Sequence, residues 1–155
     1  MKKILAVSTS GGHWRQLGRI MPSLPDVKVV YCSTEEKLAG SVPEHQFYHV
    51  PQANSTAKLK LMYMLLKVTY VMLRERPDVV ISTGAAIGYF ALLIGKKFRA
   101  RTIWVDSLAN IEQLSHSGQL VEKHADLWIT QWEHLAKPGG PCFFGAVFGS
   151  SAKIP

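Results

Sequence analysis

Short runs of β-branched and aliphatic residues alternate along this chain with longer stretches in which apolar residues recur every three or four positions. The runs at 4–8, 27–32, 47–50, 79–82, 102–105 and 127–130 predict strands, and the stretches 13–21, 57–76, 87–98 and 119–124 predict helices. Pro77 stops the long helix, and "DVVIS" after it has the continuous apolar character of a strand buried on both faces. Strands alternating with helices build βα units, so the expected fold is α/β: a Rossmann-like parallel sheet with helices on both faces. Residues 1–136 carry this pattern without an internal repeat, low-complexity tract or interdomain linker. The segment 137–155, "KPGGPCFFGAVFGSSAKIP", changes character: it is rich in Gly and Pro yet holds three phenylalanines, so it either packs back on the domain or grips another protein.

Composition narrows the picture only in part. With 155 residues, 47% of them hydrophobic, the chain is the size of one domain with a substantial core. Its formal net charge of +7 favours anionic partners, whether phosphates, acidic lipid surfaces or nucleic acid. Cys32 and Cys142 fit neither a CxxC pair nor a metal-ligand spacing and read as free thiols of a reducing compartment, so no metal site is expected. The apolar opening meets polar and glycine residues too soon for a signal peptide. The longest apolar segment, 59–73, is interrupted by Lys67 and is shorter than a bilayer span requires, so no transmembrane helix is expected.

In an open parallel sheet, ligands sit at the carboxyl ends of the strands. The residues just past those ends are Thr9-Ser10-Gly11-Gly12-His13, Ser33-Thr34, Thr83-Gly84-Ala85, Asp106-Ser107 and Gln131-Trp132-Glu133. Ser10 is placed to cap the first helix, while Gly11 and Gly12 permit the close backbone approach by which a helix N-terminus binds phosphate. An ordinary strand-to-helix turn explains the same residues. "STGAAIGYFALLIGK" (82–96) repeats the design, and the competing account is that its small residues let helix and sheet pack closely. Neither loop is a GxGxxG or Walker motif. His13 is the first candidate for a general base, with Asp106 and Glu133 as alternatives, and each also serves as a structural or turn residue. On the helix 57–76, Lys60, Lys67 and Arg74 stand at heptad spacing with Tyr63 and Tyr70 between them. Such a stripe suits a membrane interface or, alternatively, the solvated ridge of a core helix. "KKFRAR" (96–101) falls on the edge opposite the glycine loops.

"STSGGHWRQL", "ISTGAAIGYFALLIGK", "IWVDSLANIEQLSHSGQLVEKHADLWITQWEHL" and "CFFGAVFG" resemble, in order and spacing, the oligosaccharide-biosynthesis accessory family. Its eukaryotic member is the membrane-anchored subunit of the dolichol-pathway UDP-N-acetylglucosamine transferase, and its bacterial relatives serve exopolysaccharide and capsule synthesis. The resemblance implies the acceptor-side half of a GT-B glycosyltransferase, with a separate chain supplying the nucleotide-sugar half. It maps acceptor and phosphate binding to Ser10, Gly11, Gly12, Thr83, Gly84, Ala85, Ser107 and Asn110, with Ser82 and His13 in the same motifs. It maps partner docking to Phe143, Phe144, Gly145 and Phe148. Asp106 departs from the glutamate many relatives carry, and the eukaryotic membrane helix is missing, which leaves Lys60, Tyr63, Lys67 and Tyr70 as candidates for membrane contact. The implied partners are a lipid-linked glycan acceptor, a catalytic chain and the cytosolic face of a membrane, with no nucleic acid, cofactor or metal. A non-catalytic recruiting scaffold and a free-standing nucleotide-binding protein are the competing functions.

Overall fold

Parallel strands need a crossover of a dozen or more residues between them, and the spacing of the apolar runs supplies one after each of the first strands. In the computed structural model, which describes residues 1–54 and 56–148, the strands are β1 (Lys2–Ser8), β2 (Val27–Ser33), β3 (Gln46–His49), β4 (Val79–Ser82), β5 (Arg101–Val105), β6 (Leu127–Thr130) and β7 (Cys142–Phe143). They form one sheet in the order β3-β2-β1-β4-β5-β6-β7, with every neighbouring pair parallel. The helices are α1 (Gly12–Ile20), α2 (Lys58–Glu75), α3 (Ala85–Lys97) and α4 (His116–Leu120).

β1 shows why the sheet is buried on both sides. Its side chains alternate between faces, so Leu5 and Val7 pack with Val30, Val80 and Trp104 beneath α2 and α3, whereas Ile4 and Ala6 pack with Val29, Tyr31 and Ile81 beneath α1. α2 contributes Met64, Val68, Val71 and Met72 to the first core, and α1 contributes Leu17 and Met21 to the second. α3 lies especially close to the sheet. A Cβ on Gly88 would stand 1.9 Å from Ser82 Oγ, and one on Gly95 would stand 2.8 Å from Val80 Cγ2.

Element boundaries differ from the sequence expectation for local reasons. α3 begins at Ala85, not 87. α4 begins at His116 because Ser115 caps it, its Oγ accepting from Gly118 N, and a 3-10 turn (Val121–Lys123) finishes the stretch expected to be helical at 119–124. The segment beyond 137 packs back on the domain and adds β7 to the sheet edge. Residues 149–155 of that segment lie outside the described ones.

The amino edge of the sheet is tied by carboxylates. Asp78 accepts from Lys3 N at 2.8 Å, and Asp126 accepts from Thr102 N at 2.9 Å. Glu75 accepts from Tyr48 Oη at 2.5 Å and from Lys3 Nζ at 3.1 Å. Burial pushes the Glu75 carboxyl up, but these bonds from Tyr48 and Lys3 outweigh it and hold the group below the ordinary glutamate range.

Two outcomes follow for stability. Gly88→Ala is expected to destabilise the fold by about 1–3 kcal/mol through overpacking, despite alanine's better helix propensity. Gly18→Ala, on an exposed part of α1 with nothing within 4 Å of the added Cβ, is expected to stabilise it by about 0.5–1 kcal/mol. Denaturant titration of the two variants measures both, and equal effects would contradict the close α3–sheet contact. Because the folded pKa of Glu75 is depressed, its contribution is complete above the unfolded value of about 4.3 and is lost as pH falls through the folded value. Thermal melts of Glu75→Gln should therefore lie below wild type at neutral pH, by about 1–2 kcal/mol, and converge with it in acid. A gap that stays constant from neutral to strongly acid pH would remove the pairing from the account.

Candidate functional site

The strand order reverses beside β1: the first crossovers build outward to β2 and β3, and the next returns across to β4. The carboxyl ends of β1 and β4 therefore flank the topological switch point, where open α/β sheets form their ligand crevice. Each of these strands feeds a helix whose N-terminus opens at that edge.

At α1 the N-cap is Gly11, with φ 74° and ψ −134°, a conformation that side chains disfavour. No side chain caps this helix. Ser10, expected to do so, is displaced from the cap position by Gly11. α3 begins in the same way after Gly84, again without a side-chain cap, and Ala85 adopts a left-handed φ of 67°. Gly84 does not offer its amide as expected, because that N–H donates to Ser82 Oγ at 3.2 Å. The first-turn amides at this helix are those from Ala85 onward.

A reciprocal pair joins the two loops across 70 positions of sequence. His13 Nδ1 lies 2.8 Å from the Thr83 carbonyl oxygen, and Thr83 Oγ1 donates to the His13 carbonyl oxygen at 2.7 Å. A carbonyl only accepts, so Nδ1 carries the proton and, in the neutral ring, Nε2 keeps a lone pair. The imidazole covers Gly84, where a Cβ would stand 2.4 Å from both His13 Cε1 and Nδ1. Gly11 and Gly12 are exposed, and an added Cβ on either would meet nothing within 4 Å. The glycines of the two loops thus do different work: Gly84 admits the imidazole, and Gly11 and Gly12 leave the mouth of α1 clear.

The loop after β5 is held by buried polar groups. Asp106 is 1% exposed. Its Oδ1 accepts from Trp104 Nε1 (3.1 Å) and Ser115 Oγ (2.5 Å), and its Oδ2 from Ser115 N (2.9 Å) and Asn110 Nδ2 (3.4 Å). Four donors fill the four lone-pair positions of the carboxylate. Asp106, read from sequence as a possible acid–base group, is thereby engaged in fixing its own loop, and Asn110 is tied to it. Ser107 Oγ accepts from Ala109 N. Glu133 is exposed in a 3-10 turn after β6. No hydrogen bond joins Asp106 or Glu133 to His13 among the described residues.

Two participants escaped the sequence reading. Gln16 is buried in α1, donates to the carbonyls of Val105 and Asp106, and accepts from Leu108 N, so it locks the first glycine-loop helix to the β5 loop. Its position one helical turn after Gly12 was the available signal. Glu35, just past β2, is held below the ordinary carboxylate range chiefly by its hydrogen bond to Lys37. The pairing with Lys37, at 2.5 Å, offsets the charge of this half-buried carboxylate. "STEEK" gave no means of telling which of its two glutamates faces that loop.

The remaining candidates lie elsewhere. Phe143 is in β7, Phe144 and Gly145 line an apolar cavity of about 270 Å³ with Ile103 and Ile129, and Phe148 sits beneath the Arg19 guanidinium at 5.1 Å. Lys60, Tyr63 and Tyr70 are exposed on α2, and Lys67 Nζ lies over the Tyr63 ring at 5.6 Å. Among the described residues no group of three His, Cys, Asp or Glu side chains could hold a metal ion, and no helix is long and apolar enough to cross a membrane. Both cysteines are free, and burial pushes the Cys32 thiol up to about 12.

The family model described as "Oligosaccharide biosynthesis protein Alg14 like" matches residues 42–146. The UDP-N-acetylglucosamine transferase subunit ALG14 of Candida albicans is 27% identical, over 81% of this chain and 68% of its own. The subunit of the same name from Mus musculus is 24% identical, over 86% of this chain and 76% of its own. Among solved structures, MurG of Acinetobacter baumannii superposes with a TM-score of 0.74 at 13% identity, covering 92% of this chain and 47% of that one. The UDP-N-acetylglucosamine 2-epimerase of Rickettsia bellii gives a TM-score of 0.71 at 16% identity, covering 96% of this chain and 46% of that one. The chain thus spans about half the length of these enzymes and shares the fold of their Rossmann-like, N-terminal GT-B half. By the extent of the family match, this chain belongs to the Alg14-like family of oligosaccharide biosynthesis proteins.

Proposed function

We propose that this chain is the acceptor-side subunit of a two-chain inverting glycosyltransferase of polysaccharide biosynthesis. It holds a polyprenyl-diphosphate-linked sugar at the cytosolic face of a membrane, while a separate GT-B half binds the UDP-sugar. The observation that carries this reading is the pair of uncapped helix N-termini stitched side by side at the switch point by His13 and Thr83. Backbone amides and aligned helix dipoles are the general means of holding phosphates without a metal. The amides of Gly11 and Gly12 hold one phosphate and those from Ala85 onward hold the other. Thr83 and Ser10 position the loops, and the Asp106 cluster with Ser107 and Asn110 frames the far side. His13, with Nδ1 fixed by Thr83, presents Nε2 as the base that takes the proton from the attacking sugar hydroxyl. The partner stabilises the departing UDP, and Phe144, Gly145 and Phe148 form part of the surface it meets. The names of the relatives, which are transferase subunits, support a divided enzyme.

A second reading, a recruiting scaffold without a catalytic group, draws on the structural task His13 already performs in covering Gly84. Two variants separate the readings in the reconstituted pair with a short-chain acceptor. Gly12→Asp places a carboxylate in open space on the first turn of α1, so the fold should be unchanged or gain about 0.3–1 kcal/mol from the dipole, while transfer is abolished by repulsion of the diphosphate. Retained transfer would refute the phosphate-loop assignment. His13→Asn preserves a donor toward the Thr83 carbonyl but removes Nε2. If His13 is the base, kcat should fall by about 10²–10⁴-fold with little change in the acceptor KM, and full turnover would favour the scaffold.

A further inference from the structure

The β2–β3 crossover covers its side of the sheet thinly. Residues 34–45 hold a 3-10 helix (Glu36–Ser41) and turns in place of an α-helix, so the flank of α1 that faces β2 is left open. A cleft of about 420 Å³ lies there, within the roughly 300–1,000 Å³ of small-molecule sites. Leu17, Met21 and Val29 form its buried floor. No lysine, arginine, aspartate or glutamate lines it among the described residues.

Its polar groups cluster at one end. Trp14 Nε1 donates to Ser41 Oγ at 3.2 Å, and that hydroxyl donates on to the Leu38 carbonyl, so both are engaged. Tyr31 and His45 are not. Tyr31 is 7% exposed, with ring centroids 5.4 Å from Trp14 and 5.3 Å from His45, and among the described residues its hydroxyl finds no hydrogen-bond partner. Burial pushes this phenol above its ordinary range, with nothing to offset it. His45 stands edge-on to it at the exposed rim, and its ring nitrogens join no hydrogen bond among the described residues. Val27, four residues before Tyr31 on β2 and on the same face, marks the apolar end about 13 Å away.

The lining defines its occupant by exclusion. A phosphate finds no lysine or arginine there, and a sugar finds two free polar groups where its several hydroxyls need more. What fits is an apolar carbon chain with one head that both accepts and donates. We infer that this cleft binds a neutral aliphatic alcohol, its hydroxyl set between Tyr31 Oη and the His45 imidazole and its chain laid along α1 toward Val27. Tyr31 donates to the alcohol oxygen, and the alcohol hydrogen goes to an imidazole nitrogen. A buried hydroxyl without a partner carries a desolvation penalty, and the bound head relieves it. The site goes beyond the proposed function: it shares α1 with the first glycine loop but uses none of that loop's amides.

Calorimetric titration of the full chain with geraniol, a short branched alcohol, tests it, and saturable binding is expected. Tyr31→Phe should weaken that binding about two- to tenfold, the worth of one hydrogen bond, with a thermal melt no lower than wild type because the deleted hydroxyl had no partner. Gly18 lines the cleft, and an added Cβ there meets nothing within 4 Å, so Gly18→Phe should fill the cleft and abolish binding in a domain that still melts cooperatively. Absence of saturable binding to wild type overturns the proposal, as does undiminished binding by either variant. So does a dimer in light scattering that Gly18→Phe dissolves, which would make the cleft a contact between copies. Geranyl diphosphate separates a free alcohol from the chain of a diphosphate lipid. It should not displace geraniol, and displacement that Gly12→Asp prevents would give the cleft to such a chain and overturn the alcohol assignment. Gly12→Asp itself should bind geraniol as wild type does. None of these measurements uses sugar transfer, so failure here leaves the proposed function standing, and failure of transfer leaves the cleft standing.

Discussion

The reciprocal bonds between His13 and Thr83 set the separation of two helix N-termini, and the rest of the carboxyl edge is arranged around that separation. A single helix N-terminus offers about half an elementary charge and a few amides, which makes a weak anion site on its own. Two of them, joined backbone to side chain in both directions, hold their amides in a fixed relation suited to a ligand with two adjacent anionic groups. The same pair dictates local sequence: position 84 must be glycine because the imidazole occupies the space of its Cβ. It also orients the ring, since the bond to the Thr83 carbonyl puts the proton on Nδ1.

A frame of buried polar groups makes that relation rigid. Gln16 ties α1 to the β5 loop, Gln131 Nε2 reaches the Asp106 carbonyl from β6, and Trp132 Nε1 donates to the Leu108 carbonyl. Asp106 gathers Trp104, Asn110 and Ser115 around one carboxylate, and a Cβ on Gly118 would strike it at 2.4 Å. The glutamine and Trp132 bonds go to main-chain carbonyls of the loop, and those of Asp106 join side chains within it. They help carry the polar loops across the top of the sheet by pairing buried groups there.

Much of this was legible from residue patterns, and the remainder fails for identifiable reasons. The six longer strands could be read because short apolar runs are bounded by turn residues, most clearly in β1, β2 and β4, which are largely buried, and the functional edge because loops of small polar residues follow strand after strand. β7 has two residues, too few for any periodicity. Ser10 carries the chemistry of a cap, but a left-handed glycine stands at the cap position. Gly84 and Gly88 look alike in sequence. One admits a histidine from 70 positions away and the other admits Ser82 and Trp104, a difference visible only when the opposing side chain is known. The cationic stripe on α2 was readable by heptad spacing, yet the apolar residues beside it divide between a buried and an exposed face, and hydrophobicity alone does not distinguish them.

The distribution of carboxylates gives the domain its direction. At the amino edge Asp78, Asp126 and Glu75 each accept from groups on neighbouring strands, and the hydrogen bonds and cations around them hold all three below the ordinary carboxylate range. At the carboxyl edge Asp106 is enclosed by its four donors and Glu35 is paired with Lys37. What is left facing outward between β1 and β4 is two open helix N-termini, hydroxyls and one imidazole. On a chain of formal charge +7, that edge offers an anion amide donors from two directions with its nearest acids already satisfied. Polarity along the strands therefore separates the acids that stitch the fold from the main-chain amides of the two helix N-termini, and the proposed phosphate site draws on those amides without a lysine.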